Sequence, residues 1–166
     1  MKAFFFLLAL VPAIAFSQNT DAYGKFTKPT GATIRGASVA KGYERWVIVT
    51  NLKTGSGNNT SIEFDMPTGT DVADFRNAMG IKEGLSRAEI QVTKPSRDRR
   101  AKSYTLILEN IVVQECTDDT GAGTSKIKLK AVRIGWIYYG TDRSGNTTVS
   151  SKTGWDASTG TAWTNF

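Results

Sequence analysis

The sequence predicts a mainly β fold, a small β-barrel or two-sheet sandwich with one short α-helix and a long hairpin late in the chain. Three observations carry that expectation. Two extended runs, SYTLILENIVVQEC and KIKLKAVRIGWIYY, flank the polar, glycine-bearing connection TDDTGAGTS. The other β-prone runs are separated by short turns rich in glycine, the spacing of an all-β barrel or sandwich. One segment alone, TDVADFRNAMG, has apolar residues at helical intervals.

In chain order, MKAFFFLLALVPAIAFS combines Lys2, an apolar run from Ala3 to Val11, a break at Pro12 and the small residues Ala15 and Ser17. This is the pattern of a secretory signal peptide over residues 1–17, with cleavage expected after Ser17. The apolar run is shorter than the roughly 20 residues of a spanning helix, and no cysteine follows that would carry a lipid, so no membrane anchor is expected. Residues 18–166 are then one domain of a size that buries roughly 68 % of its unfolded surface, in a secreted or periplasmic location.

NTDAYGKFTKPTGATIRGASV reads as short β pieces punctuated by Gly24, Pro29, Gly31 and Gly36. ERWVIVTNL is a strongly β-prone run, TGSGNN a turn, and TSIEFDM the next strand. The helix follows, with Thr70 as its expected N-cap, Val72, Phe75 and Met79 on its apolar face, and Gly80 as its end. SRAEIQVTK returns to strand, PSRDRRAK reads as a basic loop, and the long pair comes next.

That pair carries an irregularity. Apolar residues occupy 127, 129 and 131 opposite Lys126, Lys128 and Lys130, then move to 132, 134, 136 and 138. In the partner run Leu106 and Leu108 share one face and Ile111 and Val113 the other, so the phase slips near Ala131 and again near Glu109 and Asn110. A coordinated slip predicts a bulge, a barrel corner or a strand covered on both faces. Fourteen residues span roughly 45 Å, long for a domain of this size, and part of that length is expected to serve contacts beyond the monomer. The last stretch, with Val149, Trp155, Trp163 and Phe166, predicts a final strand and a docking aromatic segment.

Composition narrows the function. The formal charge is +6, of which Lys2 leaves with the leader, and both signs are spread along the chain. Binding to acidic partners is permitted without being required, and no nucleic acid partner is expected. The chain has no histidine, which removes the usual general base, the Ser/His and Cys/His pairs and the commonest zinc sites. Its single cysteine, Cys116, reads as a small buried hydrophobe at a strand end, with a cross-link between chains as the alternative.

Weaker signals have bland readings beside them. Asp118 and Asp119 with Thr117 and Thr120 lack the further oxygen ligands of an EF-type calcium loop. Glu63 with Asp65, and Asp71 with Asp74, are carboxylate pairs best explained as surface residues at element ends, without a cleft pattern that would make them a glycosidase. Trp155, Trp163 and Tyr139 offer stacking faces for sugars, or are core and interface residues. Asn58, Asn59 and Asn146 begin Asn-X-Ser/Thr sequons and mark exposed turns.

Three stretches resemble the haemolysin-coregulated protein (Hcp) family, the tube subunits of type VI secretion. Ile34, Gly36 and Ser38 in TIRGASVAKGYERWVIV are similar to its opening signature. RAEIQVTKP…SYTLILENIVVQE is similar to its central strand, basic turn and hairpin arm, and Gly154, Trp155 and Asp156 in TGWDAS to its C-terminal Gly-Trp-Asp element. The order is that of the family, and the similarity covers nearly all of residues 23–157. Tyr43 stands where many members have histidine, and Ala37 and Ala40 where acidic residues are common.

The resemblance implies a non-enzymatic protein, without cofactor or metal, that assembles with itself into a ring, most often a hexamer, and stacks. It also implies secretion-apparatus components or effector cargo as further partners. Gly36, Gly154 and Trp155 are then residues of the fold. The tip with Asp118, Asp119, Gly121 and Gly123, within 117–125, is a candidate stacking loop or an ordinary hairpin end. Lys94, Arg97, Arg99, Arg100 and Lys102 are candidate lumen or anionic-partner contacts, or a solvated loop. The alternative class is a secreted binding module, an adhesin or carbohydrate-binding β domain.

Overall fold

The computed structural model describes residues 20–166 apart from 56–57, 97–98 and 145, and the side chains of 96 and 99 are also outside it. The leader expected over 1–17 and the side chains of Arg97 and Arg99 therefore lie outside the described residues. Eight strands and one helix follow one another as β1 (Asp21–Thr27), β2 (Val47–Thr54), β3 (Ser61–Pro67), α1 (Thr70–Gly80), β4 (Leu85–Ser96), β5 (Arg99–Asp119), β6 (Thr124–Thr141), β7 (Thr147–Asp156) and β8 (Thr161–Ala162).

The strands pair in the order β3-β2-β1-β4-β5-β6-β7-β8, and β3 also pairs with β6. That extra pairing closes six strands into a barrel and leaves β7 and β8 as an extension of its sheet. Closure leaves no free barrel edge, the usual solution to exposed backbone donors in an antiparallel sheet.

Alternation supplies the core. β3 buries Ile62, Phe64 and Met66, and the first half of β6 buries Ser125, Ile127, Leu129 and Ala131. Phe26, Phe64 and Phe75 meet at its centre, with Phe26 and Phe64 stacked at 5.6 Å and the Phe75 edge 5.0 Å and 6.2 Å from them. Each is fully buried, worth roughly 1.5–3 kcal/mol of hydrophobic transfer free energy.

Helix α1 has the expected bounds but a different stripe and a different cap. Val72, Phe75 and Ala78 are buried, while Met79 is exposed, because α1 meets the barrel along a strict three-residue spacing. The N-cap is Gly69, extended and without a side-chain hydrogen bond, so Thr70 is the first helical residue rather than the cap. The buried Asp71 serves that end instead: its carboxylate accepts from the backbone of Asp71 and Val72.

The slip in the long pair is a fork. Up to Lys130, β6 pairs with β3 on one side, and from Arg133 onward it pairs with β7 on that same side, while β5 runs along its other edge throughout. At the switch, Ala131 N–H donates to Thr60 O (3.2 Å) and Thr60 Oγ1 donates to Ala131 O (2.6 Å), the last bonds to the β3 side. One residue on, Ala157 N–H donates to Val132 O at 2.8 Å, the first bond to the β7 side. Opposite this point Asn110 adopts a left-handed φ of 52°, which swaps the buried side of β5 from Leu106 and Leu108 to Ile111 and Val113. A second irregularity between Val113 and Glu115 returns Cys116 to the interior.

β6 spans 18 residues by serving two partners in succession. The expected basic loop is also largely strand, with Lys94 opposite Ala101 and Pro95 opposite Arg100. The final stretch forms two strands rather than one.

Because a β-branched residue with positive φ costs roughly 1–2 kcal/mol and glycine or asparagine little, Asn110→Val is expected to lose about that much in urea unfolding. Asn110→Gly should stay close to the parent, and equal stabilities for the two variants would contradict the role given to this kink.

Candidate functional site

The expected 117–125 tip is shorter than its sequence implies. Thr117, Asp118 and Asp119 pair with Lys126, Ser125 and Thr124, leaving only residues 120–123 as the turn. Asp119 Oδ1 accepts the N–H groups of Gly121 (3.0 Å) and Ala122 (3.1 Å), and Gly123 has a φ of 66°. Thr68 N–H donates to Gly123 O at 3.0 Å, so the tip is fastened to the segment leading into α1.

Asp118 accepts from Ser125 Oγ (2.7 Å) and pairs with the Arg76 guanidinium from α1, and these two, Ser125 first, hold its carboxyl below the usual range. Both tip carboxylates are committed to protein donors, which leaves little for calcium. Cys116 is buried beside Arg76, and burial pushes its thiol up.

The Gly-Trp-Asp element has three separate jobs. A Cβ on Gly154 would stand 2.3 Å from Trp163 O and 2.8 Å from Ile134 O, so only glycine lets the C-terminal segment cross β7 here. Trp155 packs from β7 against the core. Asp156 accepts from Arg133 Nε (2.8 Å), from Ser158 N–H (2.9 Å) and from Ser158 Oγ, and its pKa falls to about 2, with Ser158 the largest cause and Arg133 the next.

Asp156 also ends a ladder invisible from single motifs. Arg87, Glu109, Arg133 and Asp156 stand directly opposite one another on β4, β5, β6 and β7. Ion pairs link all four, with Arg87 to Glu109 at 2.6 Å, Arg133 to Glu109 at 3.3 Å and Arg133 to Asp156 at 2.8 Å. Alternating charge at directly opposed positions fixes register where β7 leaves the barrel.

The C-terminal aromatics dock over this ladder. Trp163 lies 4.6 Å from Phe166, Arg133 sits over Trp163 at 5.9 Å, and a Cβ on Gly135 would meet the Phe166 ring at 2.5 Å. Lys152 Nζ holds the Phe166 carbonyl at 3.0 Å. Trp163 is 9 % exposed and Trp155 packs on the core. Tyr139 lies under Lys102 at 5.7 Å, its hydroxyl bonded to Thr105. The three rings are thus not brought together as a sugar platform.

Gly36 acts at the other flank. Its N–H donates to Arg45 O at 2.8 Å, and a Cβ there would stand 2.3 Å from Trp46 O, so two loop strands approach as closely as glycine permits. Ile34 and Ser38 are buried beside it.

The structure divides the basic residues. Lys94 is on the side of Ala101, whereas Arg100 and Lys102 share the opposite face, where Arg100 pairs with Asp21 and lies 5.8 Å over Tyr23. The paired carboxylates are likewise committed. Glu63 binds Lys53 (3.3 Å), Asp65 accepts from Asn51 (2.7 Å) and Asp74 binds Lys28 (2.7 Å). Burial pushes Asp71 up.

Two surfaces escaped the sequence. Among the described residues the outer edge of β7 has ladder partners only at Trp155 and Asp156, so residues 147–153 present an exposed strand edge. A groove of about 630 Å³ opens between the 37–40 loop and β1 and β2, lined by Ala37, Val39, Ala40, Ile48, Leu52 and Tyr104. Val39 on its rim is 92 % exposed. Exposed Thr, Ser and Val in a strand-like run are the only sequence signal for the edge.

A closed six-stranded barrel, a two-strand extension and a single described helix define the class of fold, and solved Hcp proteins of type VI secretion share it. Hcp1 from Salmonella typhimurium matches with a TM-score of 0.68 at 13 % identity, over 87 % of this chain and 99 % of its own. A mutant Hcp1 from E. coli matches with a TM-score of 0.65 at 17 % identity, over 79 % of this chain and 96 % of its own. The secreted protein Hcp3 from Pseudomonas aeruginosa gives 0.62 at 18 %, over 80 % and 97 %. No protein-family profile and no curated protein matches the chain. At these identities the likeness is one of fold.

Two outcomes test the site's construction. Gly154→Ala is expected to cost about 1–3 kcal/mol by overpacking and to expose Trp163, read as a red shift of tryptophan emission. Asp156 has a folded pKa of about 2 against an ordinary 3.8. A depressed carboxyl stabilises the fold above its unfolded pKa and loses that contribution as pH falls through its folded value. Asp156→Asn should lower the urea midpoint at neutral pH and shallow its decline between about pH 4 and pH 2; parallel profiles for the two proteins would contradict this.

Proposed function

We propose that the mature chain is a non-enzymatic, Hcp-like subunit that assembles with its own copies into rings, six to a ring, which stack into short tubes. The observation that carries this reading is the extent of the fold match, which spans 96–99 % of the Hcp chains named above. The unpaired outer edge of β7 supports it, because an exposed edge of Thr, Ser and Val is the kind of surface a neighbouring copy covers.

The 120–123 turn is the stacking contact in this proposal, with Asp119 and Gly123 giving it a fixed shape. Gly36, Gly154 and Trp155 serve the fold that presents it. Lys94 and Lys102, which form no ion pair among the described residues, are left for an anionic partner or cargo, and Arg97 and Arg99, close to them in sequence, join them in this proposal. The leader expected over 1–17 makes this an exported relative of a type VI tube protein, acting outside the cytoplasm.

Native mass spectrometry of residues 18–166, with negative-stain imaging of the same sample, is expected to show rings of six. Replacing residues 120–123 by an Asn-Gly turn should abolish stacking and leave single rings. A protein that stays monomeric at high concentration would refute the assembly, and stacking that survives the exchange would refute the role of the turn.

A further inference from the structure

A second recess lies away from the tip and the β7 edge. It has a volume of about 360 Å³ and is lined by Lys25, Thr33, Arg35, Glu44, Arg45 and Trp46, with Ile34 beneath. The cations come from three separate segments. Lys25 is on β1, Arg35 is in the loop anchored by Ile34 N–H to Phe26 O (2.9 Å), and Arg45 is in the return segment held by Gly36.

The three cations are exposed to solvent at the rim of one recess, where an anion reaches all of them. Among the described residues none of the three makes an ion pair, whereas Arg76, Arg87, Arg100 and Arg133 all do. Glu44 is the one carboxylate in the lining, and Glu89 lies outside it. Glu44 accepts Gly42 N–H at 3.0 Å, and Glu89, opposite Lys25 in the ladder, accepts from the Gln91 amide.

The backbone is strained at the same place. Arg45 has a φ of 64°, a left-handed conformation that costs a non-glycine residue energy and persists only where the surroundings impose it. Here it is imposed by Arg45 N–H donating to Ser38 O (2.7 Å) and Gly36 N–H donating to Arg45 O (2.8 Å). Glycine or asparagine would sit there at less cost, and neither would bring a guanidinium to the recess.

We propose that this recess binds a phosphate-class anion, a phosphate monoester or a diphosphate. Three cations against one carboxylate leave two positive charges, which a phosphoryl group balances and a single carboxylate does not. Two guanidinium groups supply paired donors that match phosphate oxygens, and Lys25 adds a point charge. The volume is that of about a dozen liquid waters, room for a diphosphate. The site does not rest on ring assembly.

Calorimetry of residues 18–166 with pyrophosphate at low salt is expected to give saturable binding of one equivalent per chain that weakens as salt is added. Arg35→Gln, and Arg45→Asn with a residue that tolerates the left-handed backbone, should each weaken it about tenfold or more. Lys130→Gln, an exposed lysine elsewhere, should leave it unchanged. Flotation with phosphatidic acid vesicles against phosphatidylcholine vesicles distinguishes the sources. Capture lost with the arginine variants assigns the phosphate to a lipid headgroup, and pyrophosphate binding without capture assigns a free phosphate compound. Thermal melts check folding, and if Arg45→Asn fails to fold, Arg35→Gln alone decides. Absence of both kinds of binding, or an equal loss with Lys130→Gln, overturns the site.

Discussion

The architecture depends on one strand changing partners. β6 keeps β5 along one edge for its whole length but gives its other edge first to β3 and then to β7. The first half closes the barrel and the second carries the extension. Thr60 and Ala157 mark the limits of the two halves, bonding to β6 at adjacent residues. The αL kink at Asn110 lets β5 follow the bend without losing its pairing. A straight β6 would satisfy one neighbour and strand the other.

Electrostatics reinforce the bend. The Arg87, Glu109, Arg133 and Asp156 ladder crosses four strands just beyond the fork, where hydrophobic burial thins because β7 is exposed along most of its length. Surface ion pairs are individually weak, and a connected network in good register does better. Arg133 is its pivot, pairing with both neighbouring strands and lying over Trp163, so register and tail docking share one guanidinium.

Much of the fold was legible because its signals are local. The phase slips at Ala131 and Asn110 are visible as a change in which positions are apolar, and the structure puts the fork there. The helix bounds, the strand runs and the docking of Trp163 and Phe166 were legible for the same reason. The β3 to β6 closure was not, since strands whose paired residues lie 57 to 69 positions apart carry no mark of their pairing. The ladder was missed because each member looks like a lone charge interrupting an apolar run, and only register lines the four up. Thr70 was misread as a cap because its type fits, whereas Gly69 and the carboxylate of Asp71 do the work. At the candidate site, the length of the tip was overread because Thr117, Asp118 and Asp119 are polar yet paired, and Arg45 has a conformation its residue type argues against.

The division of β6 also sets how the molecule can loosen. A strand held by two partners in succession gives up one without the other. The β7 and β8 extension is held by one ladder, by the Arg133–Asp156 ion pair and by an aromatic clasp, and none of the bonds that close the barrel depends on it. Opening of the barrel, by contrast, breaks a seam over the core that Phe26, Phe64 and Phe75 fill together. Two cooperative units of unequal strength on one continuous sheet are therefore expected, with amide protection dividing at Val132 rather than at a boundary between loops and strands.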